Sequence, residues 1–230
     1  DFEFRPGGVF ANIVVGDEIN RASPKTQSAM LECMEERQVT VDGTTYTLEA
    51  PFMVIATQNP IEMEGTYALP EAQRDRFMAR VSMGYPIESA EIAMLSARAT
   101  TSPLEDLRAV TDAAEIRSLI AAVATVHVSE AVQRYAVALT TATRRSPELR
   151  LGASPRATLH LVRAGRAWAA MRGRNYVLPD DLRELAPTIL SHRLLPTVES
   201  AMAGRDAGEV LGAILTSVPV PDSDGRTSRR

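Results

Sequence analysis

Two short apolar runs constrain this chain more than any other feature. "NIVVG" (residues 12–16) and "PFMVIAT" (residues 51–57) are continuously apolar rather than alternating, which predicts strands buried on both faces, as in the parallel sheet of an α/β fold. Each ends abruptly in polar residues: Asp17 and Glu18 after the first, Gln58 and Asn59 after the second, with Pro60 stopping regular structure. In open α/β sheets ligands bind outside the carboxyl ends of the strands, so these two tips form a candidate site. One carboxylate there can hold Mg²⁺ through a water, a second can polarise an attacking water, and a neighbouring amide can orient a γ-phosphate. Two solvated acids at a strand end are also common without function, so the rest of the chain has to decide.

Between the runs, Ser23-Pro24 is a helix N-cap with proline at the first helical position, and Met30, Leu31 and Met34 give that helix an apolar face before "EERQ" closes it. "QVTVDGTTYTL" then places β-branched residues on either side of Asp42-Gly43, a β-hairpin signal. "LPEAQRDRF" predicts a short helical segment, "ARVSMGYP" a third strand, and residues 87–99 a helix; Ser102-Pro103 marks a linker. Beyond it the pattern is purely helical. Helices are predicted from Asp112 to about Thr125, from Ser129 to about Arg145, from Ser154-Pro155 to near Gly173, and from about Pro179 to near His192, making a four-helix bundle. The expected organisation is a partial α/β core over 1–99, a linker over 100–111, a helical domain over 112–215, and a polar, disordered tail over 216–230.

Composition narrows the function. With 230 residues, 45% of them hydrophobic, the chain fits a globular protein, and its formal net charge of -4 argues against a broad face for duplex DNA. Cys33 is the only cysteine, so no intramolecular disulfide framework exists and a reducing compartment, the cytoplasm, is expected. No apolar stretch reaches the ~18 residues of a membrane span.

Two arginines stand out. Arg76, in "RDRF", is either a surface partner of Asp75 or Glu71 or a cation offered to a phosphate, with Arg74 and Arg80 competing for that role. Arg156, in "GASPRA", sits at the second position of its predicted helix, where the dipole disfavours a cation, so an acid such as Glu148 or another anion should be nearby. The scattered His127, His160 and His192 have no metal-ligand spacing and suit core or capping roles; Cys33 and Trp168 suit packing, and the acids of "MEER" a solvated helix end.

Taken in order, "VFANIVVGDEINRASPKTQSAMLECMEERQVTVDG", "VIATQNPIEMEGTYALPEAQRDRF" and "LGASPRATLHLVRAGRAWAAMRGRNYVLPDDL" resemble the MoxR family of AAA+ ATPases, within the helix-2-insert clade, over nearly the whole chain. The resemblance implies the C-terminal part of a AAA+ P-loop NTPase core with a pre-sensor β-hairpin, followed by an all-α lid. By position it makes Asp17 the Walker B magnesium aspartate, Glu18 the catalytic glutamate, Asn59 sensor 1, Arg76 the arginine finger, and Arg156 the sensor 2 arginine, which acts in cis or in trans. Departures are small: Gly8 and Ala68 replace common prolines, Gly16 a usual alanine, and Arg74 a usual leucine.

The larger departure is that no G-x-x-x-x-G-K-[ST] occurs, so no loop here cradles the phosphates and the chain as written is expected not to hydrolyse ATP. A fragment of an intact ATPase is the favoured explanation over a natural truncation. The intact protein is expected to bind ATP and Mg²⁺, to form a ring, by family likeness a hexamer, and to remodel or mature client proteins, often ones with a von Willebrand factor A domain. The rivals are a nucleic-acid-remodelling ATPase, disfavoured by a hairpin tip, "VDGTTY", without Lys or Arg, and a truncated, non-catalytic binding module.

Overall fold

The computed structural model describes residues 4–59, 67–97 and 107–221. The two apolar runs form β1 (Ile13–Gly16) and β4 (Met53–Ala56), paired in parallel with Val14 opposite Val54. Between them, α1 (Pro24–Glu36) starts on Ser23, whose hydroxyl accepts from the Thr26 N–H, and stops at Arg37 in the left-handed region (φ 52°). The hairpin follows as β2 (Gln38–Val41) and β3 (Thr44–Thr47); Asp42 (φ 49°) and Gly43 (φ 79°) both adopt positive φ, the conformation that matches strand twist in a two-residue turn. Tyr46 of β3 stacks on Phe4 with ring centroids 4.1 Å apart.

Two expectations for the core need correction. The strands are not buried on both faces: Gly16 lies against Met30 of α1, while Ile13, Val15, Met53 and Ile55 on the opposite face are 44–62% exposed. No described element covers that face, so the continuous apolar pattern reports a burial that these residues do not themselves supply. Residues 79–86 form no strand either. Arg80 instead donates its N–H to the Thr188 carbonyl 3.0 Å away, on a helix, and no described strand edge lies beside the segment to pair with it.

After α2 (Glu71–Arg74), a single turn, and α3 (Glu88–Ala97), the linker expected around Ser102-Pro103 lies outside the described residues. The helical part comprises α4 (Ala113–Ala124), α5 (Glu130–Arg145), α6 (Pro155–Met171) and α7 (Pro179–Leu190), with Asp112, Ser129 and Ser154 capping the first three as their sequences require. His127 is not helical; it forms a parallel bridge with Tyr176 between helices. The bundle is larger than four helices: β5 (Leu149–Leu151) pairs with β6 (Leu195–Pro196), and α8 (Val198–Met202) and α9 (Ala207–Ser217) follow. α9 begins in a capping box of Asp206 and Glu209 and buries Val210, Leu211 and Ile214. These join Leu139, Leu161, Leu182 and Leu190 in one core, each fully buried leucine stabilising the fold by about 1.5–3 kcal/mol. No helix among the described residues is long and apolar enough to cross a membrane. Residues 222–230 of the expected tail lie outside the description.

Candidate functional site

The predicted residues fall into two groups at different ends of α1. At the carboxyl ends of β1 and β4, Thr57 ties the two strand tips together. Its hydroxyl donates to Asp17 Oδ1 (2.5 Å) and accepts from the Glu18 N–H (2.8 Å), while its backbone bonds to Gly16 and Ile19. Glu18 is held in the left-handed region (φ 47°, ψ 52°), which costs a non-glycine residue about 1 kcal/mol or more and turns its carboxylate away from the strand line, toward Arg21 at 3.1 Å. Partly buried Asn59 follows Thr57 by two residues on the same tip. Asp17 is exposed, with one oxygen engaged by Thr57. A single carboxylate of this kind fits Mg²⁺, which is usually bound by one or two carboxylates plus substrate phosphates rather than by an all-protein cage. No group of three or more His, Cys, Asp or Glu is placed to hold a metal among the described residues.

The second group lies where the core meets the helical domain. Arg76 Nε is 3.1 Å from Glu35 Oε2, and the Arg156 Nη2 donates to Glu35 Oε1, so one carboxylate holds both predicted cations. The acids of "MEER" are therefore not merely a solvated helix end. Nor does Glu148 serve Arg156, since it pairs with Arg205. Asp75, 3.7 Å from Arg156 Nη1, is the second acid there. Of the competing arginines, Arg74 has a buried Nε without a hydrogen-bond partner among the described residues and Arg80 is exposed; Arg76 is the one that meets Arg156.

Local structure explains both placements. Arg156 rides on the first turn of α6, and that turn is braced by α5: the Thr143 hydroxyl accepts from the Ala153 N–H (2.9 Å), and Arg144 Nε donates to the Ala153 carbonyl (2.6 Å). Gly152 permits the approach, because a Cβ there would lie 2.6 Å from Arg144 backbone atoms. Arg76 is fixed through Arg193, which follows α7 and whose side chain is 1% exposed. Its guanidinium pairs with Asp75 Oδ1 (3.0 Å) and donates to the carbonyls of Asp75 (3.1 Å), Phe77 (2.5 Å), Met78 (3.3 Å) and Ile189. The Ser154 hydroxyl adds a bond to Asp75 (2.8 Å). The backbone on either side of Arg76 is thus clamped by the helical domain.

Two histidines complete this clamp. Arg193 can only donate, so His160 Nδ1 accepts from it (2.7 Å), and His192 Nε2 donates to the Phe77 carbonyl (3.1 Å). Burial, with the Arg193 charge second, lowers both imidazoles to about 4. Because these folded-state values lie below the ordinary value near 6.5, the unfolded chain takes up protons first as pH falls. Stability is therefore expected to be full above about pH 6.5 and to fall between 6.5 and 4. Denaturation midpoints at pH 7.5 and pH 5 measure this, and His160→Asn, which keeps an acceptor for Arg193 without titrating, should show a smaller difference.

Thr57, Glu35, Asp75 and Arg193 are the site residues that sequence patterns missed. Thr57 left a trace as a hydroxyl at the strand tip beside the acids, Asp75 only as a surface partner of Arg76, and Glu35 only as one of the acids of a solvated helix end.

The profile of the ATPase family associated with various cellular activities (AAA) matches residues 1–79, and that of the AAA lid domain matches residues 141–212. The chain is 45% identical to the uncharacterized protein YeaC of Bacillus subtilis over 96% of its length and 69% of that protein. It is 40% identical to Chaperone MoxR1 of Mycobacterium tuberculosis, and 31% identical to Protein MoxR of Methylorubrum extorquens. The chain belongs to the MoxR family of AAA+ ATPases. Its fold follows that of a candidate ATPase from Cytophaga hutchinsonii, whose crystal structure superposes with a TM-score of 0.90 at 36% identity over 96% of this chain and 70% of that one. A full-length MCM homolog from Methanopyrus kandleri shares the fold more distantly, with a TM-score of 0.51 at 21% identity over 79% of this chain and 38% of that one. The chain spans 60% of the length of MoxR1 and 65% of the Methylorubrum protein. The family assignment makes the MoxR chain an α/β AAA+ core with a helical lid.

Proposed function

We propose that this MoxR-type protein hydrolyses ATP between neighbouring copies of itself in a ring, by family likeness a hexamer, and uses the cycle to remodel or mature client proteins. The supporting observation is the separation of its two charged groups. Gln27, in the first turn of α1, donates to the Ile19 carbonyl beside the Asp17-Glu18 tip, whereas Glu35, which holds Arg76 and Arg156, lies eight residues farther along the helix, about 12 Å at 1.5 Å per residue. That spacing favours a γ-phosphate shared between two chains over one held by both groups of a single chain. Such a phosphate can meet the acids of one copy and the arginines of the next.

In this reading Asp17 holds Mg²⁺, Glu18 orients the attacking water, and Asn59 contacts the γ-phosphate, while Arg76 and Arg156 reach it in trans and stabilise charge as it develops. Bound Mg²⁺ would supply neutralisation of the phosphates. The 230 residues contain no G-x-x-x-x-G-K-[ST] motif, so they alone are proposed to be inactive, and the proposal concerns the protein expressed from its native gene. The client role draws on the name Chaperone MoxR1; proteins with a von Willebrand factor A domain, in the cytoplasm, are the proposed clients. A nucleic-acid substrate finds no support in the hairpin tip, Asp42 to Thr44, which carries no cation.

Glu18→Gln tests the chemistry. It should leave ATP binding intact and lower turnover by about 10²–10⁴-fold, the usual contribution of a positioned base. Unchanged turnover would remove Glu18 from the mechanism.

A further inference from the structure

Glu35 has no assigned part in this chemistry, yet its carboxylate divides itself between the two arginines, Oε2 to Arg76 and Oε1 to Arg156. One arginine belongs to the core and the other to the lid. Two guanidiniums on separate domains repel each other and, unlinked, would move independently. An anion between them removes that repulsion and fixes their spacing. It does so at little cost to their binding capacity: the Arg76 contact with Glu35 runs through Nε, the inner nitrogen of the guanidinium, rather than through a terminal amino group. The guanidinium carries five donors in a rigid fork, so one edge can be held while the other faces a phosphate. Charge leads to the same conclusion. Asp75 is offset by buried Arg193, which leaves Glu35 against Arg76 and Arg156 and a net positive charge facing solvent. All three side chains are about one-third exposed, so the pairs add little to stability and their significance is placement.

We propose that Glu35 is a positioning residue for ATP hydrolysis: it gathers Arg76 and Arg156 into one paired cation that the phosphate of a neighbouring copy meets. This rests on the reading of those arginines given above. The test compares kcat and KM for ATP hydrolysis by the natively expressed, assembled protein with those of Glu35→Gln, Glu35→Asp, Arg76→Ala, Arg156→Ala and the Glu35→Gln/Arg156→Ala double variant. Loss of Glu35's charge should lower kcat about 10- to 100-fold, the cost of ångström-scale misplacement, with KM and assembly unchanged. Glu35→Asp should retain more activity than Glu35→Gln and guards against a variant that fails to fold. In the Arg156→Ala background, Glu35→Gln should have almost no further effect, because the pair it organises is already gone. A kcat that stays at or rises above the wild-type value in Glu35→Gln, or effects that multiply in full in the double variant, overturns the proposal. Unchanged kcat in both Arg76→Ala and Arg156→Ala overturns the underlying reading of the arginines and this proposal with it; loss there without loss in Glu35→Gln removes Glu35 alone.

Discussion

Arg76→Ala is expected to lower kcat for ATP hydrolysis by about 10³-fold or more, the range measured for arginine fingers in phosphoryl transfer. Nucleotide affinity should change far less, since an arginine that meets the phosphate from across a subunit boundary acts mainly on charge in the transition state. A mixing experiment checks the trans geometry. Arg76→Ala subunits keep their own Asp17, Glu18 and Thr57, and Glu18→Gln subunits keep their own Arg76. Each variant ring should be inactive alone, yet mixed rings should recover activity at every boundary where the good acids of one variant face the good arginine of the other. Recovery has no explanation if Arg76 serves its own chain. Its absence, in rings shown to have exchanged subunits, would place the arginine in cis or outside the site.

Arg193→Met should produce the largest loss of stability. The side chain is 1% exposed, pairs with Asp75, and satisfies backbone carbonyls on both sides of Arg76. Removing one partner of such a pair leaves a carboxylate and several carbonyls without their donor, at a cost of about 3–5 kcal/mol. For a chain of this size the melting temperature should fall by roughly 10 °C. Arg193→Lys restores the charge but not the planar fork, so thermal unfolding should show only partial recovery. An Arg193→Met melting temperature within about 2 °C of wild type would mean that water replaces the lost donors and that the clamp does not hold the lid to the core.

Much of the fold can be read along the chain, because many of its signals act within a few residues. Ser23, Asp112, Ser129 and Ser154 each cap the helix that follows, accepting from an N–H three residues on, and Asp42-Gly43 makes the tight turn that its residues allow. The Asp206 and Glu209 box that starts α9, beyond the four helices expected, obeys the same rule. Failures cluster where burial depends on a partner. The pattern of Ile13, Val15, Met53 and Ile55 states that the strands prefer apolar surroundings but not what provides them, and "ARVSMGYP" has strand propensity without an edge to pair with.

For the site the division is sharper. Sequence alone determined which groups exist: two acids and an amide at strand tips, an arginine after a short helix, and another at a helix start that called for an anion, with Glu148 as the candidate nearest in sequence. Tertiary structure decided which anion that is and who meets whom. It brought Glu35 between Arg76 and Arg156, 41 and 121 positions away in sequence, and set buried Arg193 behind Asp75, 118 positions away. Capping and turn preferences are short-range and leave a local trace. A carboxylate that bridges two domains obeys only distance and charge, and those are set by how the helices pack.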